Sequence, residues 1–207
     1  MTQRGALFVV SGFAGAGKGT LVKRIVQEMD NMALSISMTT RAPRAGEVDG
    51  REYFFVTKEE FEAAIERDEL IEHAKYVENY YGTPKKYVED QLKNGRDVIL
   101  EIEVQGALQV KKKFPDTVLI FVTPPSGEVL HNRLVGRGTE TTEVINNRMK
   151  RASQESAYMS QYDYVIVNDD LEKAVSDLKM LVNTSHLAPM CNEVFINKIN
   201  EELKAFE

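Results

Sequence analysis

At 207 residues, with 43% hydrophobic and 28% charged side chains, the chain has room for one domain with a sizeable core and an ordinary globular composition. A net charge of −6 argues against a nucleic acid as the main partner, because neutralising phosphates needs a basic surface. The single cysteine, Cys191, excludes an intrachain disulfide framework and reads as apolar filler or an ordinary surface thiol of a reducing compartment.

The apolar run over residues 6–10 predicts a short buried strand. Arg4 ahead of it faintly resembles a signal peptide, but the run is too short and glycines interrupt it where a cleavage region would lie. No segment reaches the roughly 18 apolar residues of a membrane span, so the expectation is a cytoplasmic protein with no membrane partner. Next comes Gly12-Phe13-Ala14-Gly15-Ala16-Gly17-Lys18-Gly19-Thr20, and then Leu21, Val22, Ile25, Val26 and Met29 at helical spacing. Strand, glycine-rich turn and helix is the context in which G-x-x-x-x-G-K binds phosphate. Glycines let successive N–H groups turn inward on an anion, the helix N-terminus adds positive charge, and Lys18 supplies a mobile cation. The hydroxyl that usually follows the lysine is displaced to Thr20, so metal is expected to be held mainly by triphosphate oxygens and water.

Residues 35–39 alternate as a strand with a hydroxyl-rich face, and residues 41–50 form a polar proline–glycine loop. Residues 53–56 predict a short strand. Thr57 with Glu60 makes a capping box for a helix burying Phe61, Ala64 and Ile65. Residues 71–77 read as a strand and residues 79–82 as a turn, so this stretch looks like a small α+β lobe. Thr83 is expected as N-cap and Pro84 as the first residue of a helix ending at Asn94-Gly95. A strand at 97–102, a helix at 104–113 stopped by Pro115, and a wholly apolar strand at 117–122 follow. Strands alternating with helices imply βαβ units and a parallel sheet. Ser126 caps a helix to Arg137-Gly138; after a polar loop at 139–143 come a long helix, a strand at 164–167 and a closing helix from Leu171 to about Val182. Beyond Pro189 the tail has modest helical potential.

Three further groups could carry chemistry. Arg41 and Arg44 lie near Ser37 and Tyr53, and two guanidiniums with a phenol would hold a phosphate; a solvated basic loop is the alternative. Arg133 with Arg137 at i and i+4, and Arg148 with Arg151 at i and i+3, form two helix-face pairs. Facing each other they suit a closing lid over a transferring phosphoryl group; ordinary surface charge is the alternative. Glu101 and Glu103 end a buried strand, where ligands of parallel sheets bind, and Glu72 adds a third carboxylate. Glu101 could hold a hydrated Mg²⁺, or simply a salt bridge. His73, His131 and His186 lack metal-ligand spacing.

The chain resembles the guanylate kinase family over residues 5–182. The resemblance rests on residues 37–50 (SMTTRAPRAGEVDG), 53–55 (YFF), 79–83 (NYYGT), 103–106 (EVQG), 133–138 (RLVGRG) and 167–170 (VNDD). It implies an α/β P-loop kinase fold: a three-layer α/β/α core with a parallel sheet at 1–34, 84–125 and 157–190, an inserted GMP-binding lobe at 35–83, a helical lid at 126–156 and a tail at 191–207. It implies ATP and GMP as substrates, Mg²⁺ with the ATP, and phosphoryl transfer assisted by Lys18, Arg41, Arg133, Arg137 and Arg148. ATP would lie on residues Gly12 to Thr20, with Asn168 near the adenine. Arg41, Arg44, Tyr53 and Tyr81 would hold the GMP phosphate; Ser37, Glu72, Thr83 and Glu103 would surround the guanine; Thr20 and Glu101 would face the metal through water. Two positions depart from many relatives: Glu101-Ile102-Glu103 stands for Asp-Ile-Asp, and Phe13-Ala14 for Pro-Ser. The rivals are a guanylate-kinase-like binding module without turnover and a kinase for another monophosphate. Oligomeric state is left open.

Overall fold

A computed structural model describes residues 4–76, 78–136, 138 and 141–206, apart from the side chain of Tyr76. In chain order the first half holds β1 (Leu7–Gly12), α1 (Lys18–Glu28), β2 (Met32–Leu34), β3 (Met38–Thr39), β4 (Phe54–Phe55), α2 (Lys58–Glu66), β5 (Leu70–Tyr76) and β6 (Asn79–Pro84). The second half holds α3 (Lys85–Lys93), β7 (Asp97–Glu101), α4 (Val104–Lys113), β8 (Val118–Thr123), α5 (Gly127–Gly136), α6 (Thr142–Ser156), β9 (Tyr164–Val167), α7 (Leu171–Ser185) and α8 (Glu193–Leu203).

Among the described residues, one parallel sheet runs in the order β2-β7-β1-β8-β9. Its central strands are mostly apolar because helices cover both faces, and every residue of β1 is buried. Leu21, Val22 and Ile25 on α1, and Ala174, Val175, Leu178 and Val182 on α7, close that core. From β1 the chain turns toward the β2 edge, and after β7 it crosses to β8 on the other side, so a crevice opens at the C-terminal end of β1. The register sets Val10 beside Glu101 and Gly12 beside Val122, which brings the glycine-rich turn and Glu101 to the same mouth.

A second sheet, β4-β3-β6-β5, carries its own small core of Phe61, Ala64 and Leu70. The capping box at Thr57 and Glu60 starts α2 as the sequence predicts: Thr57 Oγ1 accepts from Glu60 N, and Glu60 Oε2 accepts from Thr57 N at 2.8 Å. Three local expectations are corrected. Of the strand expected at 35–39 only Met38–Thr39 is strand, β3 of the second sheet; residues 35–37 carry the chain over from β2, which ends at Leu34 in the first sheet. The turn expected at 79–82 is strand: Tyr80 and Tyr81 are good strand formers, and Gly82 answers a close approach, since a Cβ there would lie 2.9 Å from the Glu72 carbonyl. Thr83 is consequently the buried penultimate residue of β6, and Pro84 takes the N-cap position of α3 without a side-chain cap.

At the opposite end of the first sheet, buried Asp97 accepts from Ala6 N at 2.8 Å and meets His186 Nε2 at 2.9 Å, tying the end of α7 to β7. Cys191 is buried, and burial raises its thiol above the ordinary range. Among the described residues, no helix is long and apolar enough to cross a membrane.

Candidate active site

The glycine-rich turn joins β1 to α1, whose N-cap is Gly17 with φ +88°. That conformation suits glycine, and any Cβ would also lie 2.4 Å from Asn168 Nδ2. No side chain caps α1, and its first turn holds no acidic residue. Its N-terminal N–H groups and the positive end of its dipole therefore stay open to an anion. Lys18 Nζ donates to the carbonyls of Gly12 (2.7 Å) and Phe13 (3.2 Å), so the amine folds back over its own loop. Burial lowers the Lys18 pKa, while Glu103, Glu101 and Glu155 push it back up. Phe13 packs edge-to-face on Phe121, with ring centroids 5.0 Å apart, so this departure from the usual loop residue anchors the turn in the core.

Asn168 supports the loop from behind. Its buried side chain donates to Ala16 O at 2.8 Å, and its own carbonyl accepts from Arg133 Nη1 at 2.8 Å. Arg133 from α5 is thus tied to the strand end next to the loop. Arg148 and Arg151 lie one turn apart on α6. Arg137 lies outside the described residues.

A cleft of about 370 Å³ brings Lys18, Ser37, Tyr53, Glu72 and Tyr81 together with Glu101 and Glu103. Glu72, on β5, is 6% exposed, and Thr83 Oγ1 donates to its Oε1 at 2.7 Å. Burial pushes the Glu72 carboxyl upward, and the Thr83 hydrogen bond opposes that. Gly106 makes room for it: a Cβ there would lie 2.8 Å from Glu72 Oε2. Gly106→Ala would raise intrinsic helix propensity by about 1 kcal/mol. Overpacking against an anchored carboxylate costs about 1–3 kcal/mol, so the clash wins. The net loss of about 1 kcal/mol should lower the melting midpoint by roughly 2–4 °C, measured by calorimetry; a raised midpoint would show that Glu72 yields freely.

Arg41, on the proline–glycine loop, stands against Tyr53 of the cleft wall. Its Nη2 pairs with both oxygens of Glu47 at 2.9 Å, and its guanidinium lies 5.4 Å from the Tyr53 ring centroid. Glu47 Oε2 also accepts from Arg44 N at 2.7 Å, so one carboxylate organises both arginine positions. The Arg44 residue itself is exposed. Lys18 lines the cleft together with Glu72, Glu101 and Glu103, while Arg41 stands behind its Tyr53 wall. Glu47 and Gly106 have no distinctive sequence signal as parts of this geometry; a carboxylate three residues after Arg44 is the nearest hint for the first.

Among the described residues, no three His, Cys, Asp or Glu side chains come together as a metal cage. One carboxylate, Glu101, lies against the loop, its Oε2 3.4 Å from a Cβ built at Gly19, and Thr20, the next residue along the chain from Gly19, is exposed. Such a sparse donor set fits Mg²⁺, which keeps several waters and takes substrate phosphate oxygens. Burial raises the Glu101 carboxyl, with Lys18 opposing the shift.

A phosphate loop at the switch point of a parallel sheet, sharing a cleft with a second small sheet that carries a buried carboxylate, defines a P-loop phosphotransferase of the nucleoside monophosphate kinase class. Residues 4–185 match the family model described as guanylate kinase. A guanylate kinase of Oceanobacillus iheyensis is 54% identical over 185 residues, covering 89% of this chain and 90% of that protein. One of Caldanaerobacter subterraneus is 48% identical over 200 residues, 97% of each chain. A crystal structure of guanylate kinase from Anaplasma phagocytophilum superposes with a TM-score of 0.72 at 33% identity, covering 91% of this chain and 90% of that one. The chain belongs to the guanylate kinase family, and it is a nucleoside monophosphate kinase.

Proposed function

We propose that this chain moves the γ-phosphoryl group of ATP onto GMP, yielding ADP and GDP by direct in-line transfer without a covalent enzyme intermediate. The observation that carries the reading is Glu72: a buried carboxylate in the same cleft as the phosphate-loop lysine. Guanine presents N1–H and N2–H side by side, which one carboxylate accepts together, whereas adenine has no hydrogen at N1. Ser37, Thr83 and Glu103 complete the base pocket, while Arg41, Arg44, Tyr53 and Tyr81 hold the acceptor phosphate. The reading extends to dGMP, which presents the same base and the same phosphate to these groups.

On the donor side, residues 12–20 cradle ATP, and Asn168 serves that site by holding the Ala16 carbonyl. Lys18 leaves its loop carbonyls for the outer phosphates. The lid at 126–156 carries Arg133, Arg137 and Arg148 toward the transferring group, while the core and the lobe at 35–83 hold the two substrates. Positioning and charge neutralisation supply the catalysis, and lid closure excludes water and so suppresses hydrolysis. Bound Mg²⁺ would neutralise phosphate charge, held through water by Glu101 and Thr20. A reducing cytosol suits a chain with one buried cysteine.

A coupled ADP-release assay with GMP, dGMP, AMP, CMP and UMP tests the reading. GMP and dGMP should turn over, with AMP slower by roughly 10⁴-fold in kcat/KM. Turnover confined to another monophosphate would reassign the acceptor, and none with any acceptor would mark a binding module.

A further inference from the structure

Arg151 is the one arginine of the two helix-face pairs that the proposed transfer leaves without a task. Its Nη2 donates to Glu103 Oε2 at 2.7 Å, and its Nε donates to Glu155 Oε1 at 2.8 Å. Glu103 is the N-cap residue of α4 and lines the cleft beside Glu72. Glu155 is on α6 itself, its side chain only 11% exposed. The planar guanidinium thus spans two carboxylates, one anchored on its own helix and one reaching into the base pocket.

We infer that Arg151 is a positioning residue for base recognition, fixing the Glu103 carboxylate so that it takes the guanine 2-amino hydrogen left over by Glu72. The inference rests on the GMP reading above. Guanine's edge carries three N–H hydrogens, one on N1 and two on N2. A single carboxylate such as Glu72 takes N1–H and one N2–H, which leaves one donor for a second acceptor. Glu103 has a long, 58% exposed side chain, and its carboxylate is held by a partner from another helix. The pair is exposed in the open cleft and contributes little to folding there. A base laid over it displaces water and lowers the local dielectric, so the same pair gains strength when the pocket is filled. Anchoring by Glu155 keeps the fork in place, which a flexible lysine reproduces only in part.

Inosine monophosphate, which lacks the 2-amino group, separates this role from a structural one. Binding of GMP and inosine monophosphate is measured by calorimetry on the full chain, for wild type, Arg151→Ala and Arg151→Lys. Arg151→Ala should weaken GMP by about ten-fold, the order expected for one charge-assisted hydrogen bond, and inosine monophosphate by less than two-fold. The preference for GMP should therefore narrow about five-fold or more, with Arg151→Lys in between; the melting midpoint of Arg151→Ala should fall, because Glu155 loses its partner, but a loss of stability alone acts on both ligands and leaves the preference unchanged. Equal weakening of both ligands, or an unchanged preference, overturns the inference while leaving the GMP reading intact. A wild type that binds GMP no better than inosine monophosphate overturns both. Binding needs no turnover, so a chain that discriminates the bases without transferring phosphate loses the kinase reading alone.

Discussion

Lys18→Ala should lower kcat by about 10³-fold or more while leaving GMP binding within about two-fold, because in the proposed transfer the lost cation stabilises charge that develops only on the transferring phosphoryl group. The amine is 2.7 Å from Gly12 O and 3.2 Å from Phe13 O, held by carbonyls and by no carboxylate at hydrogen-bond distance among the described residues. Leaving the loop for a phosphate therefore breaks no ion pair. Single-turnover kinetics with GMP binding followed by calorimetry separates the two effects, and a near-normal kcat would remove Lys18 from the mechanism. A pH dependence follows. Burial lowers the lysine pKa, so its charge is lost at lower pH than for an ordinary lysine, and the alkaline limb of the free enzyme's kcat/KM profile should begin correspondingly early. Glu101, Glu103 and Glu155 oppose that shift, and neutralising any of them should move the limb earlier still.

Glu72→Gln should lower kcat/KM for GMP by about 10³-fold, chiefly through KM, since the two charge-assisted hydrogen bonds of the proposed base pocket would be weakened and the amide would turn a donor toward a donor. AMP, which uses neither bond, should be nearly unaffected, so discrimination collapses; unchanged discrimination would refute the base assignment. Stability should move the other way. Burial raises the Glu72 pKa, so the folded chain binds that proton more tightly than the unfolded one. Stability from this group is then present at low pH and falls as pH rises from the unfolded pKa to the raised folded value. At neutral pH the ionised carboxylate is a net burden on the fold, and Gln removes it. The melting midpoint of Glu72→Gln at pH 7 should equal or exceed wild type, as expected where a site is built against stability.

The parts of this site that were legible in sequence are those whose physics is local. Phosphate binding needs consecutive N–H groups, glycines that allow the turn and a helix starting at once, and residues 12–20 contain all three in order. The capping box at Thr57 is equally local and forms as predicted. Local reasoning failed at 79–84, where an asparagine, a glycine and a proline suggest a turn and a helix cap. Pairing with β3 and β5 overrides that preference, and the glycine is demanded by a neighbouring backbone.

The sequence by itself therefore determined that this chain has a phosphate loop on a parallel α/β sheet, and family resemblance added the acceptor. Only the tertiary structure decided how the remaining side chains meet. Thr83 finds Glu72 across a hairpin, Arg151 finds Glu103 across 48 residues, and Asn168 finds Ala16 across 152. Such pairings depend on strand register and helix packing, which no local spacing encodes, and a carboxylate has no preferred partner until the fold places one beside it.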